Sequence, residues 1–294
     1  MKRVTKGDRI TSVVLGTICI ILCVVTLYPI LNVLSISLSS DAHVMANDIT
    51  WYPKGLTFRA YGEVFKNKSI WRSFGNSIFV AAATCFLGLL MTILAAYPSA
   101  FCEFPGKKFY NIFVLLPMWF SAGMIPSYLV IQKLHLVNSL WSLVMTQLIV
   151  PYYLLIMISF MKGLPKEIIE SARIDGASEW RIMATIVVPL SKASIATIAL
   201  WVIATQWNSY MDPLLYISDF DKFTLQQVLR DIVLNAQATK YELGSATSSS
   251  VTNVALADQL KNAVLIVSMI PMLCVYPFVQ KYFVKGVTLG AVKG

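Results

Sequence analysis

Long uninterrupted apolar runs are the feature that most limits the structures open to this chain. Six such runs occur, and most approach the roughly 20 residues of helix that cross a bilayer. Their residues are apolar continuously and not at alternate positions, which favours helices over a β-barrel. Charged residues make up 13% of the sequence, about half the fraction typical of a soluble domain. The sequence therefore predicts an all-α, multi-pass membrane protein with a single transmembrane domain, 1–294.

The boundaries of the apolar runs define the predicted topology. The six predicted spans are Ile10–Leu34, Ser73–Ser99, Tyr110–Ile131, Leu140–Met161, Ala193–Trp207 and Ala263–Phe283. They leave a cytoplasmic loop at 162–190 and two long extracellular loops at 39–72 and 208–261.

Basic residues are divided unequally between the two sides of this topology. With the N-terminus inside, 14 of the 24 Lys and Arg residues lie on the inner side, counting Lys281 at the inner end of the last span, together with 6 of the 15 Asp and Glu residues. The inner side then carries +8 of the formal net charge of +9, as the positive-inside rule predicts. We expect both termini and the 162–190 loop to be cytoplasmic. The excess charge reports topology and does not indicate nucleic-acid binding.

The loop at 162–190 has the residues needed for two short helices joined by a turn. Pro165 can open the first helix, and Gly176 can end it in a left-handed conformation at little cost. Ser178 is a suitable N-cap for a second helix that reaches about Val188, with Pro189 starting the next span. The sequence predicts a compact helix–turn–helix knob on the cytoplasmic side.

The middle of this loop is suited to contact with another protein. Ser171 and Ala172 are small enough for a partner's backbone to approach closely, and Glu170 can pair with an Arg on that partner. The alternative is that Glu170 pairs with Arg173 or Lys166 on its own helix.

Several kinds of site are missing from the sequence. It contains no Gly-x4-Gly-Lys-Ser/Thr phosphate-binding loop, and all 15 Asp and Glu residues fall outside the predicted spans. Ion-coupled carriers usually place an ionisable residue at membrane depth. No cluster of His, Cys or carboxylate residues indicates a catalytic or a metal site. If the chain moves a solute uphill, the energy must come from another subunit.

The order of residues from 170 to 189 resembles the "EAA" loop of bacterial ABC-importer permeases. That pattern is Glu-Ala-Ala, three residues, Gly, nine residues, then Ile-x-Leu-Pro. Five positions match and two are conservative replacements: Glu170, Ala172, Gly176, Ile186 and Pro189 match, with Ser171 and Val188 as the replacements.

The rest of the chain resembles the carbohydrate-uptake branch of these permeases, namely the second permease of the maltose-transporter type. It is similar in particular to permeases for complex oligosaccharides in Gram-positive bacteria. The segments that carry this resemblance are 76–77, 95–97, 124–126, 174–177, 207–208 and 276–294.

The resemblance implies a type I ABC importer permease fold in the bacterial cell membrane, surrounded by lipid. It implies three kinds of protein partner: a homologous second permease forming a heterodimer, two nucleotide-binding ATPase subunits and an extracellular solute-binding protein. This chain would be a transport subunit and not an enzyme, with no cofactor of its own, while ATP and Mg bind the partner ATPase. The residues implied to couple to the ATPase are Glu170, Ser171, Ala172, Asp175, Gly176, Ala177 and Pro189.

Neutral polar and aromatic side chains near the spans are candidates for the solute path, because amides and aromatic faces suit sugars. The candidates are Asn76, Ser121, Asn138, Gln147, Gln206, Trp207 and Asn208. The alternative for each is a hydrogen bond between helices. In related two-permease systems, the other permease can also supply most of the solute contacts.

The expected function is ATP-driven import of a carbohydrate that the solute-binding protein delivers. The expected carbohydrate is an oligosaccharide. Three alternatives remain open. The chain could serve a non-sugar solute such as a glycerol phosphate ester. It could also be an ion-coupled carrier or a multi-span membrane enzyme, although the missing carboxylates and missing residue clusters disfavour both.

Overall fold

The computed structural model describes residues 6–120, 122–242 and 248–291. Side chains are placed at 11–120, 122–236 and 254–277. Over these residues the chain is helical apart from its connections and contains no β-strand. The prediction of an all-α protein is confirmed.

The helices vary widely in length, and two of them exceed thirty residues before the chain reaches its midpoint. In chain order they are α1 (Lys6–Ser37), α2 (Asp41–Ala46), α3 (Arg59–Lys66), α4 (Lys68–Phe101), α5 (Lys107–Leu115), α6 (Met124–Lys133), α7 (Leu140–Met145), α8 (Pro151–Lys162), α9 (Lys166–Ile174), α10 (Glu179–Ile182), α11 (Val188–Leu190), α12 (Lys192–Asn208), α13 (Met211–Tyr216), α14 (Leu225–Glu242) and α15 (Ser248–Ala291). Short 3₁₀ turns lie at Leu116–Met118 and Phe220–Lys222, and a π turn lies at Met183–Val187.

Three helical segments of the described chain are long and apolar enough to cross a membrane. They are Thr11–Ser37, Lys68–Phe101 and Val254–Pro277, and they overlap the first, second and sixth predicted spans. A fourth candidate combines Glu179–Leu190 with Lys192–Asn208, two segments that meet at a bend of 77°. Its second part, α12, corresponds to the fifth predicted span.

The third and fourth predicted spans are each broken into two helices. Span 110–131 is interrupted between α5 and α6, where Pro117 lies in a 3₁₀ turn and Gly123 adopts a φ of 83°. Span 140–161 is interrupted between α7 and α8, just before Pro151. A break frees backbone N–H and C=O groups, and at membrane depth these are tolerated only against protein or a water-filled cavity.

The segment 208–261, predicted as a long extracellular loop, is mostly helical. It contains α13, α14 and the first part of α15. Its C-terminal part belongs to the first of two compact units, which comprises residues 1–70 and 229–270. In that unit the buried amide of Gln259 donates to the Ser39 carbonyl (2.9 Å) and to Asp41 Oδ1 (2.8 Å).

The second unit comprises residues 71–228 and 271–294. Its largest core joins α4, α8 and α12 to the helices of the 162–190 loop. Buried members of this core include Tyr97 from α4, Met157 from α8, Ile169 and Ile182 from the loop, and Ile198 from α12. The loop therefore packs directly against α4, α8 and α12.

Candidate coupling loop and solute path

The first helix of the 162–190 loop, α9, begins directly after Pro165 and ends at Ile174. Gly176 has a φ of 78°, which confirms the predicted left-handed turn. The N–H of Ala177 donates to the carbonyl of Ala172 (3.0 Å), and the N–H of Gly176 donates to that of Arg173 (3.0 Å). This pair of bonds is the Schellman arrangement that satisfies carbonyls at a helix end. The spacing of the three motif positions, 172, 176 and 177, therefore has a direct structural cause.

The second loop helix begins as predicted but ends differently. The Ser178 hydroxyl accepts the N–H of Arg181 (3.4 Å), which confirms the N-cap. The helix then continues to Leu190 through the π turn at Met183–Val187, so Pro189 lies in its last turn and not at the start of the next span. Proline lacks an N–H and its ring crowds the carbonyl four residues earlier, and the π turn lies in the turn that this disrupts. The chain bends after this helix and not at the proline.

One face of the loop is buried in the core of the second unit. Ile169, Ile182 and Val187 are almost fully buried, and each such side chain contributes about 1.5–3 kcal/mol. Ala172 and Ala177 are partly buried and pack against the same core. Ala172 therefore faces the chain's own helices, in contrast to the expectation that it is left open for a partner.

The opposite face of the loop is exposed and combines charge with large apolar side chains. Glu170, Ser171 and Asp175 are exposed. Ile174 is 86% exposed and Trp180 is 70% exposed, although both are large and apolar. An exposed apolar surface ringed by polar groups is typical of a protein contact. The size of Trp180, outside the matched motif positions, was the signal that the sequence prediction left unused.

Glu170 makes no ion pair or hydrogen bond with any residue that the structure describes. The alternative in which it pairs with Arg173 does not occur here, because the Arg173 guanidinium binds Glu179 instead. Glu170 is thus a free carboxylate on the exposed face of α9.

Four residues form a hydrogen-bonded group, called the loop cluster here: Tyr97, Phe101, Arg173 and Glu179. Arg173 Nε donates to Glu179 Oε1 (2.8 Å), and Nη2 donates to Oε2 (3.2 Å) and to the carbonyl of Phe101 (3.0 Å). The Tyr97 hydroxyl donates to Glu179 Oε2 (2.5 Å). The cluster joins both loop helices to the end of α4.

The charges of the loop cluster suit their positions. The Arg173 guanidinium contacts the C-terminal end of α4, and Glu179 lies at the N-terminal end of α10, where the helix dipoles favour these charges. The bond from Arg173 holds the pKa of the Glu179 carboxyl below its ordinary value of 4.5, despite partial burial. A carboxyl whose pKa is lowered on folding stabilises the folded chain at pH values above its ordinary pKa. This contribution is lost as pH falls through the lowered pKa. The ion pair is therefore intact at neutral pH.

The breaks in the third and fourth predicted spans border one cavity of about 640 Å³. Gly123 and Met124 line it from the first break, and Thr146 and Gln147 line it from the second. Discontinuous helices at such a cavity are a common arrangement for solute sites in transporters. Asp212, on α13, is the one charged residue among the described residues that line the cavity, and its Oδ2 accepts Gln147 Nε2 (3.3 Å).

The other candidates for the solute path lie elsewhere and mostly hold the fold together. Asn76 donates to the carbonyls of Asp221 (3.0 Å) and Phe223 (2.9 Å). Asn138 Oδ1 accepts the N–H groups of Ser218 (3.1 Å) and Asp219 (3.0 Å).

The last three candidates lie at the C-terminal end of α12. Asn208 donates to the Ala204 carbonyl of its own helix (2.8 Å). Trp207 is buried with its ring 5.5 Å from that of Phe74, and Gln206 is half-buried. Ser121 lies outside the described residues. Of the predicted set, Gln147 alone lines the cavity among the described residues, and the sequence prediction missed Asp212 because it considered neutral groups only.

The profile of the family described as binding-protein-dependent transport system inner membrane component matches residues 79–289. The chain is 37% identical over 271 residues to Protein LplC of Bacillus subtilis (strain 168), covering 92% of this chain and 90% of the relative. It is 32% identical over 287 residues to the polygalacturonan/rhamnogalacturonan transport system permease protein YtcP of the same organism, covering 98% and 99%.

A solved structure is also similar over nearly the whole chain. It belongs to a bacterial ABC transporter involved in the import of the acidic polysaccharide alginate. The match has a TM-score of 0.84 at 27% sequence identity and covers 96% of this chain and 100% of that chain.

Proposed function

Since the chain belongs to the binding-protein-dependent transport system inner membrane component family, we propose that it is a membrane subunit of an ATP-driven ABC importer for an oligosaccharide. The observation that carries the ATP-driven part is the exposed face of the coupling loop, 162–190. That face presents the free Glu170 carboxylate beside the exposed side chains of Ile174 and Trp180. It docks on a nucleotide-binding ATPase subunit, which binds ATP and Mg and supplies the energy.

The physical case for docking rests on the division of the loop into two faces. Ile169 and Ile182 anchor it on the spans, so a force applied to the exposed face reaches the membrane helices. Burial of the Ile174 and Trp180 side chains by a partner favours binding, and Glu170 forms a charge-assisted hydrogen bond with an Arg or Lys on that partner. The full set of coupling residues in this proposal is Glu170, Ser171, Ala172, Asp175, Gly176, Ala177 and Pro189, of which Ala172, Gly176 and Ala177 act by shaping the turn.

Membership of the family supports the remaining parts of the proposed importer. The chain pairs with a homologous second permease as a heterodimer, and an extracellular solute-binding protein delivers the solute. We place six spans in a single permease domain, with the breaks in the third and fourth lining the solute path. Both termini are cytoplasmic, in accordance with the distribution of basic residues. The name of the relative YtcP, a transport system permease protein, supports a transport subunit and not an enzyme.

The cavity at the two breaks supports a sugar as the solute. The Gln147 amide and the Asp212 carboxylate both accept hydrogen bonds from hydroxyl groups. The relative named for polygalacturonan and rhamnogalacturonan transport also supports an oligosaccharide.

Glu170→Lys tests the docking role. The substitution places a cation against the partner surface that Glu170 is proposed to pair with, and like-charge contact across an interface costs several kcal/mol. We expect association of the ATPase with the permease pair to weaken by at least about tenfold, with uptake falling in parallel. Association is measured by co-purification from detergent and by titration of the ATPase onto the permeases in nanodiscs.

The matched control is Glu63→Lys, which makes the same charge change on the segment predicted to be extracellular. It should leave ATPase association unchanged. Equal association for Glu170→Lys and the parent would contradict the docking role. Uptake that persists after ATP depletion but collapses with an uncoupler would instead support an ion-coupled carrier.

A further inference from the structure

We propose that Tyr97 and Glu179 are positioning residues that transmit movement of the coupling loop to α4, and through α4 to the solute cavity. This inference rests on the proposed docking of the loop on an ATPase. It assigns a role in coupling to Tyr97, which lies on α4 and is far from the loop in sequence.

The bonds at the loop end are directional and involve both loop helices. Arg173, from α9, and Glu179, from α10, are joined by two hydrogen bonds, so the two loop helices move together. Tyr97 is 5% exposed and donates its hydroxyl to Glu179, and Arg173 also donates to the Phe101 carbonyl. Apolar contacts alone are non-directional and allow sliding, whereas these bonds fix α4 to the loop at two points.

Nine residues before Tyr97, at Gly88, α4 packs against the backbone of a helix break. A Cβ atom built on Gly88 would lie 3.3 Å from the Leu148 carbonyl oxygen and 3.8 Å from that of Gln147. Gln147 lines the solute cavity, so α4 contacts the cavity wall without an intervening element. Gly88 and Tyr97 are nine residues apart on one continuous helix, a distance of about 13.5 Å.

The covalent connection from the loop to α12 is less suited to this task. On one side the chain leaves the loop through the π turn and the 77° bend into α12, a geometry that can absorb movement. The loop cluster bypasses that bend because it joins the loop to a helix that is 82 residues away in sequence from Glu179. Coupling requires that a change at the loop alters the cavity, so the experiment measures a signal at the cavity itself.

The test uses the assembled importer, with its second permease and ATPase, in nanodiscs. An environment-sensitive fluorophore is attached to Met145→Cys, a position that lines the cavity, in a background without the native cysteines. The probe added is Mg·ATP, and the signal is the change in emission at the cavity. We expect Tyr97→Phe to reduce this change by at least about twofold while ATPase association stays unchanged.

Tyr110→Phe is the matched control. It also removes one tyrosine hydroxyl bonded to α4, since the Tyr110 hydroxyl donates to the Ala95 carbonyl (2.8 Å), but that bond lies outside the loop cluster. The control should retain the full signal. Combining Tyr97→Phe with Glu179→Gln should add little to the loss from Glu179→Gln alone, because the Tyr97 hydroxyl acts through its bond to Glu179.

The outcomes separate this inference from the proposed function. A full signal in Tyr97→Phe, together with loss of ATPase association in Glu170→Lys, would overturn the role of the loop cluster and leave docking intact. An equal reduction in Tyr97→Phe and Tyr110→Phe would overturn it as well, because a general weakening of α4 would then explain both. Normal association in Glu170→Lys would overturn the docking on which the inference rests.

Discussion

Gly176 carries the turn between the two helices of the coupling loop at a φ of 78°. A Cβ atom there would meet nothing within 4 Å, so the cost of a side chain is that of backbone strain alone. We expect Gly176→Ala to destabilise the turn by about 1–2 kcal/mol and Gly176→Asn to cost less, because asparagine tolerates the left-handed region. The readouts are the thermal unfolding midpoint of the purified permease and its affinity for the ATPase.

Gly62→Ala provides the reference for this substitution. Gly62 lies within α3, where a Cβ atom also meets nothing within 4 Å and the backbone is helical. Alanine should be neutral or stabilising at that position by up to about 1 kcal/mol. If Gly176→Ala behaved like Gly62→Ala, the left-handed turn would not contribute to the stability of the loop.

The residues that were predictable from sequence in the loop are those whose roles are local. Gly176 and Ser178 act on neighbours within five residues, and helix-capping chemistry is sufficient to assign them. The bond between Glu179 and Tyr97 spans 82 residues, and no local pattern indicates it. Arg173 was predicted as a possible partner for Glu170, but the carboxylate it binds lies across the turn.

At the level of helices, hydropathy identified the continuous spans and missed the breaks. Runs such as 110–131 and 140–161 remain apolar across Pro117 and before Pro151, so a count of apolar residues averages over the interruptions. Whether a chain stays helical there depends on what receives the freed backbone groups, and that is a tertiary property. The residues that line the cavity were also predictable only in part. Gln147 could be predicted as a polar residue near a span, whereas Asp212 lines the cavity because the fold brings α13 to the break.

The packing of α4 against the second break makes Gly88 sensitive to size. The nearest atom to an added Cβ is the Leu148 carbonyl oxygen at 3.3 Å, which is backbone and cannot rotate away. We expect Gly88→Val to cost about 1–3 kcal/mol through overpacking and to lower uptake, because the Gln147 segment must shift. The measurements are the unfolding midpoint and the initial rate of uptake.

Gly75→Val is the control on the same helix. It carries the same propensity change, but an added Cβ at Gly75 meets nothing within 4 Å. Any loss that the two variants share belongs to helix propensity, and only the excess for Gly88→Val belongs to the contact with the break. Equal losses would show that α4 does not pack tightly against that break.

For the molecule as a whole, the distribution of charge sets the orientation in the membrane. The inner side of the proposed topology holds 14 of the 24 basic residues, and the coupling loop lies on that side. That placement is required by the proposed function, since ATP and the ATPase are cytoplasmic. The orientation therefore links the residue-level assignment of Glu170 to the energy source of transport, and it can be tested without any partner protein.

Lys66→Cys and Lys162→Cys form a matched pair for that test, made singly in a background without native cysteines. Both positions are exposed lysines, the first on the predicted extracellular segment 39–72 and the second at the start of the coupling loop. A membrane-impermeant maleimide added to intact protoplasts should label position 66 and not position 162, and lysis should make both reactive. Labelling of position 162 before lysis would place the loop outside, where no ATPase could reach Glu170.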